Sequence, residues 1–201
     1  MNVVTISRQL GSFGFEIGKL VAEQMGYRLV YRELINQAAL RAGAPDVALA
    51  MIDELNLLGI CPDPTKCQAY IAAVGTVLNE LALEGNVVIV GRGGQIVLKD
   101  RIDVLHVRVI APMETRIARV SAVRKVSPDA ALAQIQTSDR TRRQYFQRFY
   151  QTQLDDPVLY DLIINSGRIA PPSAAKLICT SLALPGLKTI GSSQVAEVPS
   201  D

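Results

Sequence analysis

The sequence has few of the features that mark membrane, secreted or zinc-binding proteins. It contains no run of eighteen apolar residues, which excludes a membrane-spanning helix. The opening residues MNVVTISRQ lack the charged and apolar regions of a signal peptide. The three cysteines stand in no metal-ligand spacing and His106 is the single histidine, so a structural zinc site has too few ligands. We therefore expect a cytoplasmic protein.

The sequence also lacks a strong excess of charge of either sign. Its 21 basic and 19 acidic residues give a net charge of +2, which argues neither for nor against a nucleic-acid partner. With 201 residues, 49% of them hydrophobic, the chain can bury one good-sized core. We expect a single domain over residues 1–183 and a disordered tail over 184–201, which is rich in Gly, Ser and Pro without periodicity.

Short apolar segments alternate with helical patterns along the chain. Strands are predicted at residues 3–7, 28–31, 87–90, 104–110 and 160–164. Helical patterns begin near residues 14, 32, 46, 65, 93, 112 and 127, and a last helix is predicted at 173–182. This alternation predicts an α/β three-layer sandwich with a parallel sheet. Ligands of such folds bind at the carboxyl ends of the strands.

Residues 3–26, VVTISRQLGSFGFEIGKLVAEQMG, indicate a buried strand, a glycine-bearing turn and an amphipathic helix. A helix N-terminus that follows a strand directs unpaired N–H groups at whatever lies in the turn, which favours a phosphate. The standard phosphate-binding loop, GxxxxGK[ST], adds a lysine and a hydroxyl. Here Gly14 stands at the lysine position and Phe15 at the hydroxyl position. The segment is either a phosphate site without its lysine or an ordinary βα unit with no ligand.

A second candidate site follows the strand at 87–90. Arg92 lies among three glycines where this strand ends, so it leaves the sheet at the carboxyl edge. The glycines let the backbone approach a ligand closely, and an arginine can grip a phosphate with a forked pair of hydrogen bonds. The alternative is a solvated loop arginine.

Basic residues are concentrated between residues 116 and 148, where eight stand against two acidic ones. Within DRTRRQYFQRFY, Arg140 and Arg143 are three apart and Gln147 follows four later, which places them on one helical face. The same segment carries four aromatic residues. This pattern fits a lid whose arginines close over polyphosphate, a surface that binds nucleic acid, or a solvated face with aromatics in the core.

Six segments follow one another along the chain: ISRQLGSFGFEIGKLVAEQMG, YRELI, VVIVGRGGQIVLKD, VLHVRVIAPMETRIARV, DRTRRQYFQRFY and DPVLYDLIINSGRI. In this order and spacing they resemble the cytidylate kinase-like family of P-loop proteins. The resemblance implies a nucleoside monophosphate kinase fold with a five-stranded parallel sheet. It also implies a monophosphate-binding helical region at about residues 31–85 and an arginine-bearing helical lid at about 116–150.

The resemblance implies an activity and its partners as well. The expected reaction is ATP-dependent phosphorylation of a pyrimidine nucleoside monophosphate with Mg²⁺. Nucleotides are the expected partners, no membrane partner is expected, and nucleic acid is the less favoured alternative. The apolar region 46–85 is suited either to a core flap or to the face of a homodimer.

The resemblance further assigns roles to single residues. Arg92 matches the monophosphate-holding arginine of a GRD motif, with Gly93 in place of its aspartate. Positive charge at the transferring phosphoryl group is assigned to Arg140, Arg143 and Lys19. The candidates for the ATP phosphates are Ser7, Arg8, Gly11, Ser12, Gly14 and Glu16. Arg32 and Asp161 are further nucleotide-binding candidates. The ligands of Mg²⁺ are unknown, with Glu16 and Asp161 as candidates.

Two phenylalanines depart from the family pattern. Relatives commonly read GSGGREIG where this chain reads GSFGFEIG, so Phe13 replaces a glycine and Phe15 an arginine. An arginine at position 15 could substitute for the missing lysine, and this chain has neither. One well-placed cation is worth roughly 10³ to 10⁵ in the rate of phosphoryl transfer. The alternative function is therefore a catalytically inactive nucleotide-binding sensor or scaffold.

Overall fold

The structure is a computed structural model that describes residues 2–31, 37–38, 40–41, 43 and 64–184. Three expectations lie outside these residues. They are the nucleotide contact of Arg32, the helix starts near residues 32 and 46, and the tail beyond residue 184. Much of the predicted monophosphate-binding region also lies outside them.

The described elements alternate between strand and helix. In chain order they are β1 (Val3–Arg8), α1 (Gly14–Met25), β2 (Arg28–Val30), α2 (Pro64–Glu84), β3 (Val87–Val90), α3 (Gly94–Val97), β4 (Val104–Ile110), α4 (Met113–Arg124), α5 (Pro128–Tyr150), β5 (Leu162–Asn165) and α6 (Pro171–Ala183). The strands form one parallel sheet in the order β2-β3-β1-β4-β5, which confirms the predicted fold class. β5 begins two residues later than predicted because a 3₁₀ turn at Pro157–Leu159 precedes it.

Each face of the sheet packs against its own set of helices. Val3 of β1 belongs to an apolar cluster with residues of α2 and α5, including Tyr70 and Tyr145. The next residue, Val4, belongs to a cluster with residues of α1 and α6, including Ile17 and Ile178. Successive strand residues point to opposite faces, so burial on both faces requires an apolar run without alternation. This accounts for the unbroken apolar run of β3 and for the apolar residues on both faces of β1 and β4.

Helices α4 and α5 pack against each other beside the loop that follows β1. Their shared cluster of Val120, Ala131 and Ile135 also contacts Leu10 of that loop. The Ser127 hydroxyl accepts a hydrogen bond from Ala130 N at 3.2 Å, which caps the start of α5. The pair spans the region expected to form a lid, and its movement stays a prediction. Among the described helices, none is long and apolar enough to cross a membrane.

The single histidine gives the fold a measurable pH dependence. His106 of β4 is 6% exposed, and its Nδ1 lies 2.6 Å from Thr5 Oγ1. Burial lowers the pKa of His106 below its usual 6.5, and the nearby Asp161 carboxylate opposes this shift. Below pH 6.5 the unfolded chain therefore binds more protons at this residue than the folded chain does. We expect stability to fall as the pH drops from 6.5 to 5.5, by at most about 1.4 kcal/mol per pH unit.

Proton NMR can follow the one imidazole directly, alongside urea unfolding at pH 7.0, 6.0 and 5.5. The variant His106→Gln provides the control, because its stability is expected to vary less over this range. A native imidazole that titrates at or above pH 6.5 would contradict the prediction.

Candidate functional site

The loop between β1 and α1 folds tightly against α4. Gly11 has a φ of +80°, and a Cβ there would lie 2.9 Å from the carbonyl oxygen of Arg116. The Ser12 hydroxyl is fully buried and donates to the Gln9 carbonyl oxygen at 2.8 Å. Phe13 takes a left-handed conformation (φ 59°) immediately before α1 begins at Gly14. The loop thus leads directly to a helix N-terminus, whose first N–H groups have no partner within the helix.

A cleft that we call the loop cavity opens beside this helix N-terminus. Its walls come from the loop, from Tyr31 after β2, and from α4 and α5. The lining residues are Arg8, Gln9, Leu10, Gly11, Phe13, Gly14, Phe15, Glu16, Tyr31, Arg119, Val120, Val123, Arg124 and Arg142. Four of these are arginines. A helix N-terminus with several guanidinium groups around it is suited to an anionic ligand.

A second cleft, the inner cavity, lies between the ends of β1 and β3 and the aromatic face of α5. Its lining residues are Ser7, Arg8, Gly91, Arg92, Gln95, Arg142, Tyr145, Phe146 and Leu154. Three consecutive residues after β3 have positive φ, namely Gly91 (85°), Arg92 (62°) and Gly93 (75°). This turn brings the backbone of Gly93 so close to α5 that a Cβ there would lie 3.0 Å from the Tyr150 hydroxyl.

The charge of Arg92 acts on a group of tyrosines beside the inner cavity. Burial raises the pKa of Tyr70, and it raises the pKa of Tyr150 to about 12, while the positive charge of Arg92 opposes both shifts. The pKa of Tyr145 lies well above 10, again through burial. The hydroxyls are therefore protonated at neutral pH and can donate hydrogen bonds. Among the described residues, the fully buried hydroxyl of Tyr70 has no partner.

Arg8 and Arg142 form a wall that the two cavities share. The Arg8 guanidinium lies 5.3 Å from the ring centre of Tyr31 and donates to its hydroxyl at 3.2 Å. Arg142 donates from Nη1 to the carbonyl oxygen of Arg8. Both also line a smaller cavity with Arg108 and Arg143. That smaller cavity also contains Asp139 and Asp155, so the positive charge where the two main cavities meet comes from Arg8 and Arg142.

The structure brings most of the predicted phosphate-loop residues together. Arg8, Gly11, Gly14 and Glu16 line the loop cavity, and Ser7 and Arg92 line the inner cavity. The Ser12 side chain is directed into the loop itself. Arg143 is exposed and lies 3.7 Å from Asp155, at the small cavity that it shares with Arg8 and Arg142.

Lys19, Arg140 and Asp161 also line neither of the two cavities. Lys19 is 63% exposed and pairs with Glu23 one helical turn later at 3.7 Å, because its position on α1 faces solvent. Arg140 is exposed on α5. Asp161 precedes β5, so it stands at the amino end of that strand, where its carboxylate accepts from His106 N at 2.7 Å.

The cavity-facing arginine of α5 is Arg142, which the sequence analysis did not select. It is 7% exposed, whereas Arg140 and Arg143 face outward. The signal for it was present in the aromatic residues, since Tyr145 and Phe146 follow at three and four positions and share its helical face. Arg108 and Arg119 were also missed, because their sequence neighbourhoods carry no pattern that marks them.

Among the described residues that line the loop cavity, one has a carboxylate that could bind a divalent cation. That residue is Glu16, in the first turn of α1. Mg²⁺ in phosphate-transfer sites is commonly held by one or two carboxylates together with phosphate oxygens. Glu16 fits this arrangement, whereas Asp161 does not, because it lies at the other end of its strand. The described residues contain no cluster of three or more His, Cys, Asp or Glu side chains that could hold a metal.

Comparison with known proteins identifies relatives of the chain. Residues 3–168 match the model of the cytidylate kinase-like family. The chain is 27% identical over 176 residues to a cytidylate kinase of Pyrococcus horikoshii, covering 88% of this chain and 85% of the relative. It is 26% identical over 178 residues to a cytidylate kinase of Ignicoccus hospitalis, covering 89% and 97%.

Solved structures share the fold. A protein of Eubacterium ventriosum described as uncharacterized superposes with a TM-score of 0.72 at 20% identity, covering 91% of this chain and 99% of that one. A gluconokinase of Sinorhizobium meliloti superposes with a TM-score of 0.55 at 17% identity, covering 90% and 91%. At these identities the likeness concerns the fold alone.

Proposed function

The chain belongs to the cytidylate kinase-like family, and from this premise we propose that it transfers the γ-phosphoryl group of ATP to a pyrimidine nucleoside monophosphate. The observation that carries the proposal is the pair of cavities that meet at Arg8 and Arg142. A phosphoryl transfer needs two phosphate-bearing ligands whose phosphates meet. Two adjoining clefts with positive charge at their junction meet this requirement.

In this proposal the loop cavity receives the ATP phosphates. The first N–H groups of α1 and the positive end of its dipole face the anion there. Glu16 would hold Mg²⁺ together with phosphate oxygens, and the metal ion would neutralise part of the phosphate charge. Arg8 and Arg142 add positive charge to the lining of the same cleft.

The inner cavity receives the phosphate of the acceptor. Arg92 lines this cavity within a turn of residues with positive φ, and its charge opposes the rise in the pKa of Tyr70, Tyr145 and Tyr150. Arg92 can bind a phosphate with two parallel hydrogen bonds. The cavity volume is about 40 Å³, so we expect the elements that line it to move apart when the acceptor binds.

A phosphoryl-transfer screen tests the proposed function. The purified chain is incubated with ATP and Mg²⁺ against CMP, dCMP, UMP, AMP and GMP, and the products are followed by phosphorus NMR. We expect ADP and a nucleoside diphosphate to form with at least one pyrimidine monophosphate, and product formation to stop when EDTA removes the metal. Absence of any diphosphate above background would contradict the activity.

One observation favours a second function, binding of nucleotide without turnover. The guanidinium of Arg119, an α4 arginine that lines the loop cavity, stacks 4.0 Å from the ring centre of Phe13 and donates to Ser166 O at 2.7 Å. These contacts engage the Arg119 guanidinium with protein groups rather than with a bound nucleotide. Burial also lowers the pKa of Arg119. Calorimetry that finds ATP or CMP binding in a chain that forms no diphosphate would support this second function.

The nucleic-acid alternative receives less support from the basic segment. Two of its arginines, Arg116 and Arg142, are buried at 2% and 7% exposure. Buried guanidinium groups do not contribute to a phosphate-binding surface on the outside of the protein.

A further inference from the structure

Two positions of the phosphate-binding loop have exchanged residue types. In the pattern GxxxxGK[ST], a glycine stands six residues before the lysine. With the lysine position at residue 14, that glycine position is residue 8. This chain has Arg8 where the pattern has glycine, and Gly14 where the pattern has lysine. The loop therefore contains one cation and one glycine at these two positions, as the standard loop does, with their places reversed.

The structure shows why the two positions depend on each other. A Cβ built on Gly14 would lie closer than 3.0 Å to the Cβ of Arg8, a separation that real Cβ atoms essentially never show. It would also lie 3.0 Å from Arg8 Cγ and 3.4 Å from Val109 Cβ. One of the two residues must therefore lack a Cβ. An arginine at position 8 requires a glycine at position 14, and a lysine at position 14 requires a glycine at position 8.

The side chain of Arg8 runs along the carboxyl edge of the sheet. It leaves the end of β1, passes the backbone of Gly91, where a Cβ would lie 2.6 Å from Arg8 Nη1, and reaches the hydroxyl of Tyr31 after β2. Along this path it lines both the loop cavity and the inner cavity. Its charge therefore stands at the junction of the two clefts rather than at the start of α1.

We propose that Arg8 is the cation that replaces the missing loop lysine, and that the Arg8–Gly14 pair is a reversed form of the glycine–lysine pair of the standard loop. Arg8 binds the phosphate that enters the loop cavity and holds it toward the inner cavity. This inference rests on the proposed function, because it names the residue that supplies the positive charge at that same site. It assigns to Arg8 the charge that the sequence analysis assigned to Lys19 and the arginines at 140 and 143.

Binding of ATP and of inorganic tripolyphosphate, measured by calorimetry, tests the exchange. Arg8→Gln removes the charge and keeps much of the side-chain length, and it is expected to weaken binding of both ligands by roughly 10- to 100-fold, the value of a charge-assisted hydrogen bond. Gly14→Lys alone is expected to lose binding as well, because its Cβ collides with that of Arg8.

The double variant R8G/G14K restores the standard order and is expected to bind tripolyphosphate within about tenfold of the natural chain. Its matched control is R8A/G14K, which carries the same new lysine and keeps a Cβ at both positions. This control is expected not to recover tripolyphosphate binding. Circular dichroism and thermal unfolding of each variant separate loss of binding from loss of folding.

Two results would overturn the inference and leave the proposed function standing. One is tripolyphosphate binding by Arg8→Gln that equals that of the natural chain. The other is that R8A/G14K and R8G/G14K recover tripolyphosphate binding equally. A natural chain that binds neither ATP nor tripolyphosphate would overturn both the inference and the proposed function.

Discussion

Replacement of Arg142 by alanine is expected to lower kcat for phosphoryl transfer by about 10³ to 10⁵, the value of a cation placed over the transferring group. Arg142 is 7% exposed, lines both cavities, and donates to the carbonyl oxygen of Arg8. In the proposed reaction, charge would accumulate on the phosphoryl oxygens at the junction of the two cavities, so loss of this guanidinium would remove stabilisation from the transition state more than from the bound substrates. Steady-state kinetics with the acceptor identified by the screen provides the measurement.

Arg140→Ala is the matched control, because it removes an exposed arginine two residues earlier on the same helix. It is expected to leave kcat unchanged within about twofold, as is usual for surface substitutions. Arg142→Lys keeps the charge and is expected to retain more activity than Arg142→Ala. Equal losses in Arg142→Ala and Arg140→Ala would show that α5 contributes through its overall charge, which contradicts the specific placement of Arg142.

Replacement of Arg116 by alanine is expected to destabilise the fold by about 3–5 kcal/mol, the cost of breaking a buried ion pair from one side. Arg116 of α4 donates to both carboxylate oxygens of Asp139 on α5, each at 2.8 Å. The two side chains are 3% and 12% exposed. Arg116 Nε also donates to the Leu10 carbonyl oxygen at 2.7 Å, so one side chain connects both helices with the loop. Urea unfolding, followed by circular dichroism, measures the loss.

Two further variants identify the cause of this loss. Arg124→Ala removes a half-buried arginine of the same helix that donates a hydrogen bond to the neutral side chain of Gln134. This variant is expected to lower the free energy of unfolding by only about 1 kcal/mol. The double variant R116M/D139L removes both charges and is expected to recover much of the stability, because no charge is then left buried without its partner. A double variant as unstable as Arg116→Ala would show that the contact to Leu10 carries the effect.

The fold was accessible from the sequence because its signals are local. β3 is a continuous apolar run, and β1 and β4 have apolar residues on both faces; Gly26, directly after α1, takes the left-handed conformation typical of a helix C-cap. Arg92 follows β3 directly, so its place at the carboxyl edge also follows from the strand alone. The exact start of β5 did not follow, because the 3₁₀ turn before it gives no periodic signal.

The orientation of side chains on α5 required the packed structure. Arg140, Arg142 and Arg143 are close in sequence and identical in chemistry, so charge alone does not show which one faces the sheet. The aromatic residues decide this, since Tyr145 and Phe146 pack into the core on the sheet face. The pairing of Arg116 with Asp139 likewise depends on how α4 lies against α5. Tertiary contacts of this kind leave no trace in the spacing of either residue.

The wall shared by the two cavities has a thermodynamic consequence. Because Arg8 and Arg142 line both clefts, a ligand in one cleft changes the position and charge environment of groups that the other ligand contacts. Linkage then requires that each ligand alter the affinity for the other by the same factor. The free energy of this coupling can be measured by calorimetry as the difference between ATP binding with and without a saturating monophosphate. Two guanidinium groups would carry this coupling: that of Arg8 at the end of β1 and that of Arg142 on α5.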